Sequence, residues 1–96
     1  MKRLLYARKA LSDLDEVWDY SEEVWGTAQA NRYLHDLRKG IEGLAHARTA
    51  SRSVEEVRPG LRKAVIKQHA VFFRESDDVI KVIRVLHQRM DAGRWV

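Results

Sequence analysis

Four histidines, His35, His46, His69 and His87, are the side chains of this sequence best suited to proton transfer or metal binding. No two of them stand four apart on a helix, and there is no HExxH motif and no cysteine to complete a Cys/His set. No metal site is expected, and disulfide and thiolate chemistry are excluded. The serines Ser12, Ser21, Ser51, Ser53 and Ser76 lack the context of a nucleophile elbow. The glycines stand singly and form no phosphate-binding loop, so no cofactor is expected. The acidic run Asp13, Asp15, Glu16, Asp19, Glu22, Glu23 has the spacing of the wet face of an amphipathic helix and reads as solvated surface.

The remaining catalytic option centres on His87, in "VIKVIRVLHQRMD" at 79–91. Metal-independent RNA cleavage through the 2′-hydroxyl needs a base, an acid and a cation to hold the phosphorane charge. His87 with Lys63 or Lys67 and Arg84 supplies those groups. Strand alternation places Lys81, Ile83, Val85 and His87 on one face and Arg84 on the other, while Lys63 and Lys67 share a face of an earlier strand. A histidine that closes a strand serves equally as a structural side chain, and the residue types alone leave both readings open.

Those residues need elements to hold them. Residues 2–7 read as a short strand. From "ARKALSDLDEVWDYSEEVWG" the period becomes helical, with Leu11, Leu14, Trp18, Ser21 and Trp25 on one stripe that Val17 and Val24 widen. Ser12 with Asp15 makes a candidate capping box, Gly26 suits the residue after the helix, and Thr27 suits the cap of a second helix. The second stripe is Ala30, Tyr33, Leu34, Leu37, Ile41 and Leu44. Two helices joined by Gly-Thr must fold back as a hairpin. Gly40 and Gly43 weaken the second helix unless another element packs closely there.

"HARTASRSVEEVRPG" has no periodicity and reads as an exposed connection closed by a Pro59-Gly60 turn. Strand signals follow at 61–66, 70–74 and 79–86, joined by short polar links. The last strand is apolar on both faces, which fits an interior position. The expected fold is α+β: a single domain over 1–96 in the order β-α-α-β-β-β, with an N-terminal strand and helical hairpin packed on an antiparallel sheet and a short tail.

The chain has 96 residues, 45% of them hydrophobic, and a net charge of +4. The charge is uneven: residues 1–57 carry −1 and residues 58–96 carry +5. A basic second half suits nucleic acid or an acidic protein partner. No stretch is long and apolar enough for a signal core or membrane span, so a cytoplasmic chain with no membrane partner is expected.

"DLDEVWDYSEEVWGTAQANRYLHDLRKGIEGLA", "VRPGLRKAVIKQHAVFFR" and "VIKVIRVLHQRMD", in that order and spacing, resemble the ParE toxins of bacterial type II toxin–antitoxin modules over about residues 2–91. The resemblance implies the same βααβββ fold. It implies a toxin that poisons DNA gyrase by trapping the cleaved-DNA state and is not itself an enzyme. A cognate antitoxin would wrap it with an acidic C-terminal segment, and operator DNA would be bound only indirectly, through the antitoxin. Alternatives are a ribosome-dependent mRNA endonuclease of similar fold and a non-toxic corepressor that still binds the antitoxin.

In those endonucleases a tyrosine accompanies the histidine near the last strand. Here Gln88 follows His87, and Trp95 is the sole later aromatic. No catalytic residue is therefore assigned, and His87 is expected to be structural and to contact a partner. His69 stands where the family usually has tyrosine. Arg58, Arg62, Lys63, Arg74 and Arg84 are the candidate cations for an acidic antitoxin, since arginine grips carboxylates through two bonds. Trp18, Tyr33 and Phe72 are candidate apolar anchors. His87, Arg89, Met90, Arg94 and Trp95 are the candidate target-binding set.

Overall fold

The computed structural model describes all 96 residues. Its elements are β1 (Arg3–Tyr6), α1 (Arg8–Trp25), α2 (Thr27–Ala45), β2 (Arg52–Ser53), β3 (Arg62–Ile66), β4 (His69–Glu75), β5 (Val79–His87) and a short α3 (Ala92–Trp95). The helical hairpin, the three C-terminal strands and the interior place of the last strand lie where the periodicity puts them. The sheet order is β1-β5-β4-β3-β2.

Several local expectations are corrected. The sheet is mixed, because β1 pairs parallel with β5 (Arg3 opposite Val79, Tyr6 opposite Val82), while the other pairings are antiparallel. The connection after α2 is not wholly exposed. Arg52 and Ser53 pair with Lys63 and Arg62, and Val54 drops into a small core. Helix α1 starts at Arg8 after Ala7, with no side-chain cap, so Ser12 and Asp15 lie inside it. Thr27 is the first residue of α2 rather than its cap; Gly26 joins the two helices at φ 91°, a conformation that suits a residue without Cβ.

The buried stripe of α1 is Ala10, Asp13, Leu14, Val17 and Ser21. It is rotated from the expected one, leaving Leu11, Val24 and Trp25 exposed. The α2 stripe holds, with Leu37, Ile41 and Leu44 buried. Between the hairpin and the inner sheet face these residues meet Ala64, Val71, Phe73, Ile80, Val82 and Val85. The outer face carries a second cluster, Val54, Leu61, Ala70, Phe72 and Leu86, covered in part by Val57, Ala92 and Val96.

A β-bulge in β5 sets the local geometry. Arg84 lies opposite Phe72, yet Phe73 is opposite Val82, so Ile83 is the extra residue. The bulge shifts the alternation: Val82 and Val85 both face the helices, whereas Ile83 packs on the outer cluster. Lys81 and Ile83 therefore do not share a face with His87, contrary to simple alternation.

Candidate functional site

Strand β1 ends at Tyr6, so β5 beyond Val82 has no strand neighbour on that side. Helix α1 fills the place. Its Asp13, 7% exposed, accepts the Val85 N–H at 2.9 Å and receives Arg84 through Nε at 2.7 Å and Nη2 at 2.8 Å. The remaining Arg84 nitrogen, Nη1, donates to the Trp95 main-chain oxygen at 2.6 Å. The Asp13 carboxylate raises the Arg84 pKa further above its ordinary value, so this guanidinium stays charged. Asp13 is not the solvated surface residue that its acidic neighbours suggest. It ties α1, β5 and the tail together.

Beside this pair runs a groove of about 1030 Å³ between α1, the ends of β4 and β5, and the tail. Tyr20 and Trp25, edge to face with ring centroids 6.3 Å apart, form one rim; Met90 and Trp95 form part of the other. His69 and His87 are cross-strand partners, their rings edge to face at 5.6 Å. Tyr33 of α2 fixes the first of them. Its hydroxyl accepts the Gln68 N–H at 3.1 Å and lies 2.7 Å from His69 Nδ1, so its own proton is directed to that nitrogen. Burial raises the Tyr33 pKa, which keeps the phenol protonated. Burial, then the nearness of His87, lowers the His69 pKa to about 4, so the ring is neutral at pH 7. His87 Nδ1 accepts the Arg89 N–H at 3.2 Å, which leaves the proton of a neutral His87 on Nε2.

The comparisons with known proteins bear on this geometry. A family model described as the ParE toxin of the type II toxin–antitoxin system parDE matches residues 4–92. The chain belongs to the ParE toxin family. Among relatives, Toxin ParE1 of Mycobacterium tuberculosis is 40% identical, covering 96% of this chain and 95% of its own. Toxin ParE of Escherichia coli is 33% identical over 95% and 89%. A structure of the chromosomal ParDE system from P. aeruginosa superposes with a TM-score of 0.78 at 25% identity, covering 91% of this chain and 96% of that one. The E. coli DinJ–YafQ complex shares the fold alone, with a TM-score of 0.65 at 11% identity over 91% and 93%.

Within this ParE fold the residues singled out from sequence go to different places. The catalytic alternative is not assembled. His87 and Arg84 line the groove, but each Arg84 nitrogen already donates to Asp13 or to the Trp95 main-chain oxygen. Lys63 stands over the Phe72 ring on the outer face, its nitrogen 5.9 Å from the centroid. Lys67 is a turn residue at φ 54° whose ammonium meets Asp36 at 3.2 Å, so it shares no strand face with Lys63.

The candidate antitoxin cations are mostly held inside the chain. Arg58 donates to the Val96 main-chain oxygen at 2.8 Å, Arg62 to Ser51 Oγ at 3.1 Å, and Arg74 to the Pro59 carbonyl at 2.6 Å. Phe72 is 2% exposed and offers no surface, because the loop before β3 and the tail close over it. Trp18 donates to Asn31 Oδ1 at 2.9 Å across the helical hairpin. Tyr33 is spent on His69 and Gln68.

The tail is folded, not free. Asp91 caps α3 by accepting the Gly93 N–H, and Ala92 and Val96 pack on the outer cluster. Arg89 and Met90 stay exposed, and Arg94 lies over the Trp95 ring at 5.7 Å. Sequence reasoning missed Asp13, Tyr20 and Trp25. The signal for Asp13 was available: three residues after Ala10 and four before Val17, it shares their inward face.

Proposed function

We propose that this chain is a growth-arresting toxin that acts on DNA gyrase without making or breaking bonds, and that a ParD-like antitoxin holds it inactive in the cytoplasm. The family supports the toxin role. The observation that carries the non-catalytic part is the Asp13–Arg84 pair. Arg84, the arginine that the catalytic alternative requires, already has its three nitrogens engaged by Asp13 and the Trp95 main-chain oxygen, so it is not free to stabilise a phosphorane. The antitoxin reading rests on the family and on the P. aeruginosa ParDE structure, with operator DNA reached only through the antitoxin. Arg89, Met90 and Trp95, exposed at one rim of the groove, with the exposed Arg94 over the Trp95 ring and His87 in the groove wall, are the set proposed to meet the target. The test is a gyrase supercoiling and DNA-cleavage assay at micromolar toxin. A trapped cleavage complex is expected, with His87→Ala retaining most of the effect; no trapped complex at that concentration overturns the reading.

One observation favours a second reading, a ribosome-dependent mRNA endonuclease: His87 lines the groove with its Nε2–H uncommitted. Mapping transcript 5′ ends after induction separates the two. Codon-positioned cuts abolished by His87→Ala select the endonuclease, whereas a DNA-damage response without such cuts selects the gyrase poison. Expression without growth arrest selects a corepressor that has lost toxicity.

A further inference from the structure

Each strand of the sheet contributes a cation to a belt across its outer face. Arg52 of β2 stands directly opposite Lys63 of β3, and Arg74 of β4 directly opposite Lys81 of β5. Lys63 lies opposite Phe72, two residues before Arg74, and Lys81 lies opposite Leu5, two residues after Arg3 of β1. The other two steps of the belt are therefore diagonal ones. Alternation turns all five cations the same way: Phe72 belongs to the outer cluster, whereas Phe73, Ile80, Val82 and Leu4 pack toward the helices.

Like charges directly opposite on neighbouring strands are destabilising, and the fold does little to offset these two pairs. The strands carry a single carboxylate, Glu75, which alternation turns to the helix side and which Lys2 holds at 2.6 Å. Arg52 meets Glu56 at 3.7 Å with both side chains largely exposed, a weak pair. Arg74 commits one nitrogen to the Pro59 carbonyl, and Arg3 and Lys81 take part in no ion pair. Five strands at a spacing of about 4.8 Å make the belt about 19 Å wide. That width matches about five phosphates of one DNA strand, at about 3.4 Å of helix axis each. Phe72, the aromatic ring beneath the belt, is 2% exposed and cannot stack on a base, which disfavours a single strand as occupant.

We propose that this outer belt binds the phosphate backbone of duplex DNA without reading its sequence. Phosphates laid along it would relieve the repulsion between the opposed cations, and operator choice stays with the antitoxin. The proposal deepens the gyrase reading, on which the source of the duplex rests: the DNA segment held by that target.

Fluorescence anisotropy of a labelled duplex of about 20 base pairs, titrated with the full chain at several salt concentrations, tests it. Binding is expected, with log Kd rising against log salt at a slope of about 4 to 5. Lys81→Gln should lower that slope by about 1, and Lys63→Gln combined with Lys81→Gln by about 2, with affinity falling about tenfold. The melting temperature should hold or rise, because each opposed pair loses a charge. Arg32→Gln combined with Lys39→Gln, which removes two exposed charges from α2, should leave slope and affinity unchanged. No binding at low salt, an equal loss in the α2 variant, or tighter binding to single-stranded DNA or to duplex RNA overturns the proposal. The gyrase reading fails separately, because the absence of a trapped cleavage complex leaves the measured duplex affinity untouched.

Discussion

At the scale of single residues, Asp13 and His69 carry the strongest consequences. Asp13 takes three donors, and removing it leaves a guanidinium and the Val85 N–H without their partner at a nearly dry site. Asp13→Ala is expected to cost about 3 kcal/mol in urea denaturation, and Asp13→Asn less, because the amide oxygen still accepts one bond. His69 makes stability depend on pH. Its folded pKa of about 4 lies below the ordinary 6.5, so the unfolded chain binds the extra proton first. The stabilisation is complete above about pH 6.5 and fades as pH falls toward 4. Partial exposure screens the effect, which leaves on the order of 1–2 kcal/mol. Melting followed from pH 7 to 4 should show that loss, and His69→Gln should flatten the profile. Tyr33→Phe, which removes the hydroxyl from His69 and Gln68, should cost about 1 kcal/mol at pH 7. Of this site, His87 was legible in the sequence because it closes a strand. Asp13 was not singled out because four of the five other acids of α1 are exposed, and the inward angle of one carboxylate is hidden among them.

At the scale of elements, hydrophobic periodicity carried most of the information. The α2 stripe and the three C-terminal strands need only local alternation, and their bounds fall within one or two residues of expectation. The features that were missed depend on contacts distant in sequence. The bulge at Ile83 appears only when β5 is laid against β4; β2 exists because β3 offers an edge; α1 begins early because Ala7 is still held by Val82. Gly40 belongs between the two cases. Its composition signals close packing, and only the structure names the neighbour: a Cβ there would sit 2.7 Å from the Ile66 side chain. Gly40→Ala should therefore destabilise by about 1–2 kcal/mol, although alanine is the better helix former by about 1 kcal/mol. Pairing it with Ile66→Val should recover part of the loss. Melting temperatures of the two single variants and the double variant would show non-additivity of that sign, and additive losses would remove Ile66 from the explanation.

At the scale of the whole molecule, the uneven charge acquires a structural meaning. Arginines of the basic second half work largely as internal straps. Arg58 and Arg84 take the main-chain oxygens of Val96 and Trp95, so α3 is pinned over the outer cluster from two directions. Ala92 and Val96 contribute the apolar half of that attachment. A four-residue helix has too few internal bonds to persist alone, so its order depends on those contacts. Arg58→Ala removes one strap while leaving Asp13–Arg84 and both cores in place. Global stability should fall by only about 1 kcal/mol, whereas the tail should open locally far more often. Brief trypsin digestion reads the difference, because Arg89 and Arg94 are exposed and flank α3 or lie within it. Cleavage there is expected to quicken severalfold while the remainder of the chain stays intact. Unchanged tail cleavage would mean that apolar docking and Arg84 suffice to hold α3, leaving Arg58 free to grip a partner's carboxylate.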